Sequence, residues 1–206
     1  MIDYTNTFPQ ANIDTDIFVE MSALFGNKAE GDKVLKLKKS LYRLKQSPRT
    51  FYQHLSQGLQ TRGWTPSKID PCLFMKNNMT CVIYVDDTIF AGPSQNDIDT
   101  EFKTLGIKHR SEDHPFEFRD EGEVSAFLGI KIDQQNNDEF YLSQPGLIAK
   151  VLITAGMTEY NPNSIPAALE PLGPGLEGEP MDESWEYALI VGMLMYLTNN
   201  IRPYIA

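Results

Sequence analysis

The spacing of apolar residues changes period along the chain, and each change marks an element. "KVLKLK" (33–38) alternates imperfectly and predicts a half-buried strand, with "IFVEM" (17–21) as a partner. "SPRTFYQHLSQGLQTRG" switches to helical spacing. Ser47 is placed to cap, Pro48 fits the first helical position, Phe51, Leu55 and Leu59 share a face, and Gly63 ends the helix. "CLF" (72–74) and "CVIYV" (81–85) predict two strands joined at Asn77-Asn78, and "TIFAG" resumes strand character after Asp87.

Further along, Ser94 with Asp97 predicts a capped helix carrying Ile98, Phe102 and Leu105 and ending at Gly106. "FLGIKID" and "EFYLS" flank "QQNND" as a hairpin. A helix over Pro145–Ala155 is predicted to bury Leu147, Ile148, Val151 and Leu152. Residues 160–182 hold five Pro and three Gly and read as an extended linker. A last amphipathic helix is predicted from Asp182 to about Thr198. Strands and helices mix without strict alternation, which argues for an α+β fold rather than a doubly wound sheet.

Composition narrows the classes. The 206 residues are 41% hydrophobic, enough for a packed core and against disorder. Cys72 and Cys81 have neither metal-ligand nor disulfide spacing and fit free thiols in a reducing compartment. No basic-then-apolar leader opens the sequence, and the longest apolar run, Ala188 to Leu197, is too short to span a bilayer, so no membrane partner is expected. The net charge of -10 is uneven. Eight Lys/Arg fall between Lys28 and Arg49 against Glu30 and Asp32. An acidic chain is a poor general nucleic-acid binder, yet a local basic stripe can meet phosphates. The same stripe also reads as a solvated surface.

The stretch "VIYVDDTIFAG" carries the chemistry. Asp86 and Asp87 sit side by side between two apolar runs and predict a two-residue hairpin turn. Two readings stay open from the residues alone. One is an exposed acidic turn. The other is a carboxylate site for Mg²⁺, completed by an acid from another strand. Asp3 in "MIDYTNTF" is a candidate for that acid, and so are Asp14, Asp16 and Asp70. His54, His109 and His114 show no ligand spacing.

Taken together, "IDYTNTF", "KLKKSLYRLKQSPRTFY", "DPCLF", "YVDD", "FLGIKI", "LSQ" and "GMLMYLTNNIRP" resemble, in order, the motifs of the reverse transcriptase of copia-type (pseudovirus) LTR retrotransposons. The resemblance covers nearly the whole chain. It implies a right-hand polymerase palm over 1–110, an antiparallel sheet with helices on one face. A palm end and partial thumb-side region over 111–159 would follow, then the linker at 160–182 and a C-terminal helix over 183–206. It implies an RNA-directed DNA polymerase that adds deoxynucleoside triphosphates to a DNA primer on an RNA template with two Mg²⁺ ions, or Mn²⁺. By the same resemblance Asp3 and Asp86 are metal ligands, and Asp87 is a supporting third acid. Phe8 is a sugar-selecting ring, and Lys45 and Gln46 lie along the nucleotide and template, with Arg49 nearby. Lys103 or Lys108 stands where a lysine can assist the leaving group. The implied setting is a cytoplasmic virus-like particle with nuclear delivery of the DNA product, alongside the fingers, RNase H and integrase parts of a Pol polyprotein.

The match departs from the family in places. Arg43 stands where the family usually has glycine, whose backbone freedom an arginine is not expected to copy. Tyr204 stands where Asp is common. A fingers segment is expected upstream of Asp3 and an RNase H region beyond residue 206, so the chain reads as truncated at both ends. These departures keep two further readings alive: a catalytically inactive relic of a decayed element, and a nucleic-acid-binding remnant.

Overall fold

The structure is a computed structural model that describes residues 1–20, 34–106, 115–135, 139–161 and 186–205. The chain divides into two compact units, Met1–Glu123 and Val124–Ala206.

The first unit is built on a six-stranded antiparallel sheet. Its strands are β1 (Ile2–Tyr4), β4 (Thr65–Pro66), β5 (Leu73–Lys76), β6 (Met79–Tyr84), β7 (Asp87–Ala91) and β8 (Phe118–Asp120), in the order β4-β5-β6-β7-β1-β8. The β5–β6 turn is Asn77-Asn78, as expected, with both residues at positive φ (47° and 62°), which asparagine tolerates. The strand pair expected from 17–21 and 33–38 also forms, as β2 (Phe18–Glu20) on β3 (Val34–Lys36), outside the main sheet.

Period-two patterning gives the main sheet one apolar face. Ile2 and Tyr4 of β1, Cys81 and Ile83 of β6 and Phe90 of β7 are buried in one cluster. Helix α2 (Ser47–Thr61) adds Phe51, Leu55 and Leu59, and α3 (Gln95–Leu105) adds Phe102 and Leu105. Ser94 caps α3 as its sequence predicts, accepting a hydrogen bond from the Asp97 amide. Ser47 does not cap α2: it is the first helical residue, and its hydroxyl donates to the Leu41 carbonyl instead. In mid-α2, Gly58 lets the buried Phe116 ring approach so closely that a Cβ there would lie 2.4 Å from it. Cys81 is buried and its thiol is pushed up by burial, an inert environment.

The second unit carries a three-stranded sheet of β9 (Ala126–Phe127), β10 (Ile130–Gln134) and β11 (Phe140–Ser143), with β10 central. The β10–β11 hairpin was expected. The β9–β10 turn at Leu128-Gly129 was not; both residues take positive φ, and the Tyr196 hydroxyl donates to the Leu128 carbonyl at 2.7 Å. Helix α4 (Pro145–Thr154) packs against α5 (Tyr187–Asn200), and a short 3₁₀ turn (Pro203–Ile205) follows. The expected burial on α4 is corrected. Leu147, Ile148 and Val151 are only half-buried and Leu152 is exposed, because α5 covers too little of that face. The linker expected at 160–182 lies almost wholly outside the described residues, as does the expected start of α5 at Asp182.

Candidate active site

The acids converge through strand register. In antiparallel β1 and β7, Asp3 lies directly opposite Asp87, and the Tyr4 amide donates to the Asp86 carbonyl at 3.4 Å. Since Ile2, Tyr4 and Thr88 are buried on the core side, alternation turns Asp3 and Asp87 to the opposite face of the sheet. Asp86 sits beside them at the tip of the β6–β7 hairpin.

That hairpin differs from expectation by one residue. Tyr84 pairs with Asp87, so the two-residue turn is Val85-Asp86, and Asp87 opens β7. Val85 occupies the first turn position at φ 55°, which a β-branched side chain rarely adopts. This register slip moves Asp87 from the turn into the ladder, where it faces Asp3 rather than solvent alone.

Like charge marks the cluster. Desolvation, then the Asp86 and Asp3 carboxylates, raise the Asp87 carboxyl above its ordinary range. Among the described residues no group of three or more His, Cys, Asp or Glu is arranged to hold a metal ion. An open carboxylate set still suits Mg²⁺, which keeps water or substrate oxygens in its shell.

The other candidate acids are engaged elsewhere. Asp14 pairs with Arg49 and accepts from Thr15, which together hold its carboxyl below the usual range. Asp16 pairs with Lys36 at 2.7 Å, and Asp70 accepts from the Cys72 amide at 2.8 Å. Arg49 therefore meets an acid of its own chain.

Phe8 follows β1 on the short helix α1 (Thr7–Gln10), reached through Asn6 in the left-handed region and anchored by Thr7 Oγ1 donating to the Tyr4 carbonyl. Its ring is only 8% exposed and meets Tyr42 edge-on at 4.7 Å and Phe51 at 6.4 Å. Tyr42, absent from the sequence-based site, is 52% exposed and covers that ring. Its only signal in the sequence is its place just before Arg43. Arg43 adopts φ 72°, the very conformation a glycine would take without strain, so the arginine copies the backbone it was expected to forbid. Lys45 is exposed, and Gln46 is the first residue flanking α2 and lends no side-chain cap. Lys103 is exposed in the last turn of α3, whereas Lys108, His109 and His114 lie outside the described residues. The His54 ring stands 5.1 Å from that of Phe116.

With this geometry in place, comparison with known proteins is decisive. The family model for reverse transcriptase (RNA-dependent DNA polymerase) matches residues 1–169. The chain belongs to the reverse transcriptase family. It is 32% identical over 95% of its length to the retrovirus-related Pol polyprotein from transposon RE1 of Arabidopsis thaliana, of which it covers 13%. It is 29% identical to that from transposon TNT 1-94 of Nicotiana tabacum, covering all of this chain and 16% of the relative. A putative transposon Ty5-1 protein of Saccharomyces cerevisiae is 26% identical over 98% of this chain and 65% of its own length. The chain thus spans a small part of the plant Pol polyproteins it matches. No solved structure matches it. Its mixed α/β build with antiparallel sheets is consistent with a reverse transcriptase domain. None of its described helices is long and apolar enough to cross a membrane.

Proposed function

We propose that the first unit is the catalytic palm of an RNA-directed DNA polymerase, joining deoxynucleotides to a DNA primer along an RNA template. The observation that carries this reading is the register that sets Asp3 against Asp87 with Asp86 at the adjoining tip. Asp3 and Asp86 are the residues that would hold two Mg²⁺ ions, with Mn²⁺ a substitute. When bound, the ions supply Lewis acidity at the primer hydroxyl and the α-phosphate. The mutual repulsion seen at Asp87 supports a site shaped for cations. Asp87 adds negative potential and, through its ladder position, holds the tip that carries Asp86.

The remaining groups position the substrate. Phe8 backs the sugar, and Tyr42 extends its surface outward. Lys45 and Gln46 lie by the start of α2, where backbone amides and a cation favour phosphate. In this reading the domain works beside the fingers, RNase H and integrase parts of a Pol polyprotein, within a cytoplasmic particle whose DNA product reaches the nucleus.

Primer extension tests the proposal. Mg²⁺-dependent extension by the polypeptide carrying this domain is expected to vanish in Asp86→Asn with the fold intact by circular dichroism; extension that survives refutes the site. In the active protein, Phe8→Val is expected to raise ribonucleotide incorporation at least tenfold relative to deoxynucleotide. Unchanged sugar selectivity would remove Phe8 from the gate and leave it a core residue, as its burial alone suggests. The alternative is an inactive relic, which the absence of metal-dependent extension by the wild-type polypeptide carrying this domain would support; Arg43, which keeps the glycine-like backbone, does not decide between the two.

A further inference from the structure

In the second unit, a cavity of about 450 Å³ is lined by Ser143, Gln144, Pro145, Ile148, Arg202 and Tyr204, among others. Gln144 is 1% exposed, and both atoms of its carboxamide are buried without any hydrogen-bond partner. A buried polar group left unpaired is destabilising, so this side chain is held in place at a penalty that a ligand would relieve. Gln144 also immediately precedes α4, a ten-residue helix whose N-terminus opens at the cavity through Pro145. Pro145 has no amide hydrogen, and the amides of Gly146 and Leu147 have no backbone acceptor among the described residues, the first bond back being Ile148 to the Gln144 carbonyl at 3.0 Å. The positive end of the helix dipole therefore faces the same space.

Across the cavity stands Arg202. It has no carboxylate partner among the described residues; its guanidinium donates to the Tyr204 hydroxyl and lies 5.7 Å from that ring. Among the described residues the lining holds no acid. It is rich in donors: a guanidinium fork, a carboxamide NH₂, the hydroxyls of Tyr141, Ser143 and Tyr204, and helix-terminal amides. Position 204 matters here, because an aspartate would pair with Arg202 and cancel its charge, whereas tyrosine leaves that charge available.

We propose that this cavity is an anion site that takes a phosphate group, bound by Arg202, the Gln144 carboxamide and the N-terminus of α4. The phosphate belongs either to a nucleic-acid backbone or to free inorganic phosphate, and the probes separate the two. The site is independent of the catalytic acids, so its test needs no polymerase activity.

The test uses the whole chain with a dye-labelled single-stranded DNA oligonucleotide, followed by anisotropy, and inorganic phosphate, followed by calorimetry. Arg202→Ala and Tyr204→Asp are expected to weaken binding about tenfold with unchanged melting temperature. Gln144→Leu is expected to weaken binding and to raise the melting temperature, because it removes the unpaired amide; a structural glutamine would not show that opposed pair of effects. Weakening with the oligonucleotide alone assigns a backbone phosphate, and weakening with inorganic phosphate alone or with both assigns a general phosphate site. Wild-type protein that binds neither probe, variants that bind both as wild type does, or a Gln144→Leu protein that melts no higher than wild type overturns the proposal.

Discussion

Arg43 shows how one side chain can sit on a backbone made for another. At φ 72° an L-residue with a Cβ pays roughly 1–2 kcal/mol. Arg43 is exposed and makes no hydrogen bond or ion pair among the described residues. Arg43→Gly is therefore expected to raise stability by about 1 kcal/mol, after the greater chain entropy of glycine is set against the relieved strain. Thermal unfolding should show a gain of about 2–4 °C; a lower melting temperature would mean that the arginine is anchored by an interaction of its own. The sequence disclosed the anomaly, since glycine is usual here, but not its outcome. Which of two partners yields, the side chain or the backbone, depends on how firmly neighbours hold the loop. Here Ser47 clasps the Leu41 carbonyl and Ser40 and Thr50 share a buried hydrogen bond at 2.7 Å, so the backbone keeps its path. The same limit applied to Tyr42: nothing local to an aromatic residue says that it will lie over Phe8.

At the scale of the element, the β6–β7 hairpin decides the site. Its strands were legible from period-two alternation, and so was the existence of a two-residue turn. Its register was not. Asp-Asp is better turn chemistry than Val-Asp, and only the pairing of β1 with β7, distant in sequence, makes Val85 accept the left-handed position. The consequence for Asp87 is measurable. Its folded-state carboxyl titrates above its unfolded value, so ionisation costs stability at neutral pH. That penalty fades as the pH falls through the raised pKa and is gone below the ordinary carboxylate range. Asp87→Asn is accordingly expected to be more stable than wild type at pH 7, with the difference closing toward about pH 3. Mg²⁺ at neutral pH should stabilise wild type and narrow the same gap. A pH-independent difference between the two proteins would show that repulsion is not its cause.

Over the whole first unit, distant segments are tied by one buried ionic knot. Glu101 of α3 accepts from Lys76 of β5 at 2.7 Å and from the Trp64 indole at 3.1 Å, so a helix, a hairpin and the loop after α2 meet at one carboxylate. Its side chain is only 7% exposed. Glu101→Ala would strand a largely buried lysine and is expected to cost about 3–5 kcal/mol, read from denaturant midpoints; a loss below about 1 kcal/mol would mean that the pair is solvent-screened. Sequence reasoning recovered most elements of this unit because its helices and strands are strongly periodic. It gave no hint of the knot, since Glu101 and Lys76 look like ordinary surface charges. It also misjudged α4, whose apolar residues promised burial that the described neighbours do not supply.

One feature of the sheet reaches beyond the folded state. Strand β1 lies between β7 and β8, with Asp3 paired to both Asp87 and Arg119. Its two neighbours leave the ribosome long after it does, and at about 5–20 residues per second the wait lasts several seconds. Throughout that interval the residues around Asp3 have neither ladder partner, so the register that sets Asp3 against Asp87 is fixed only after most of the first unit has been made.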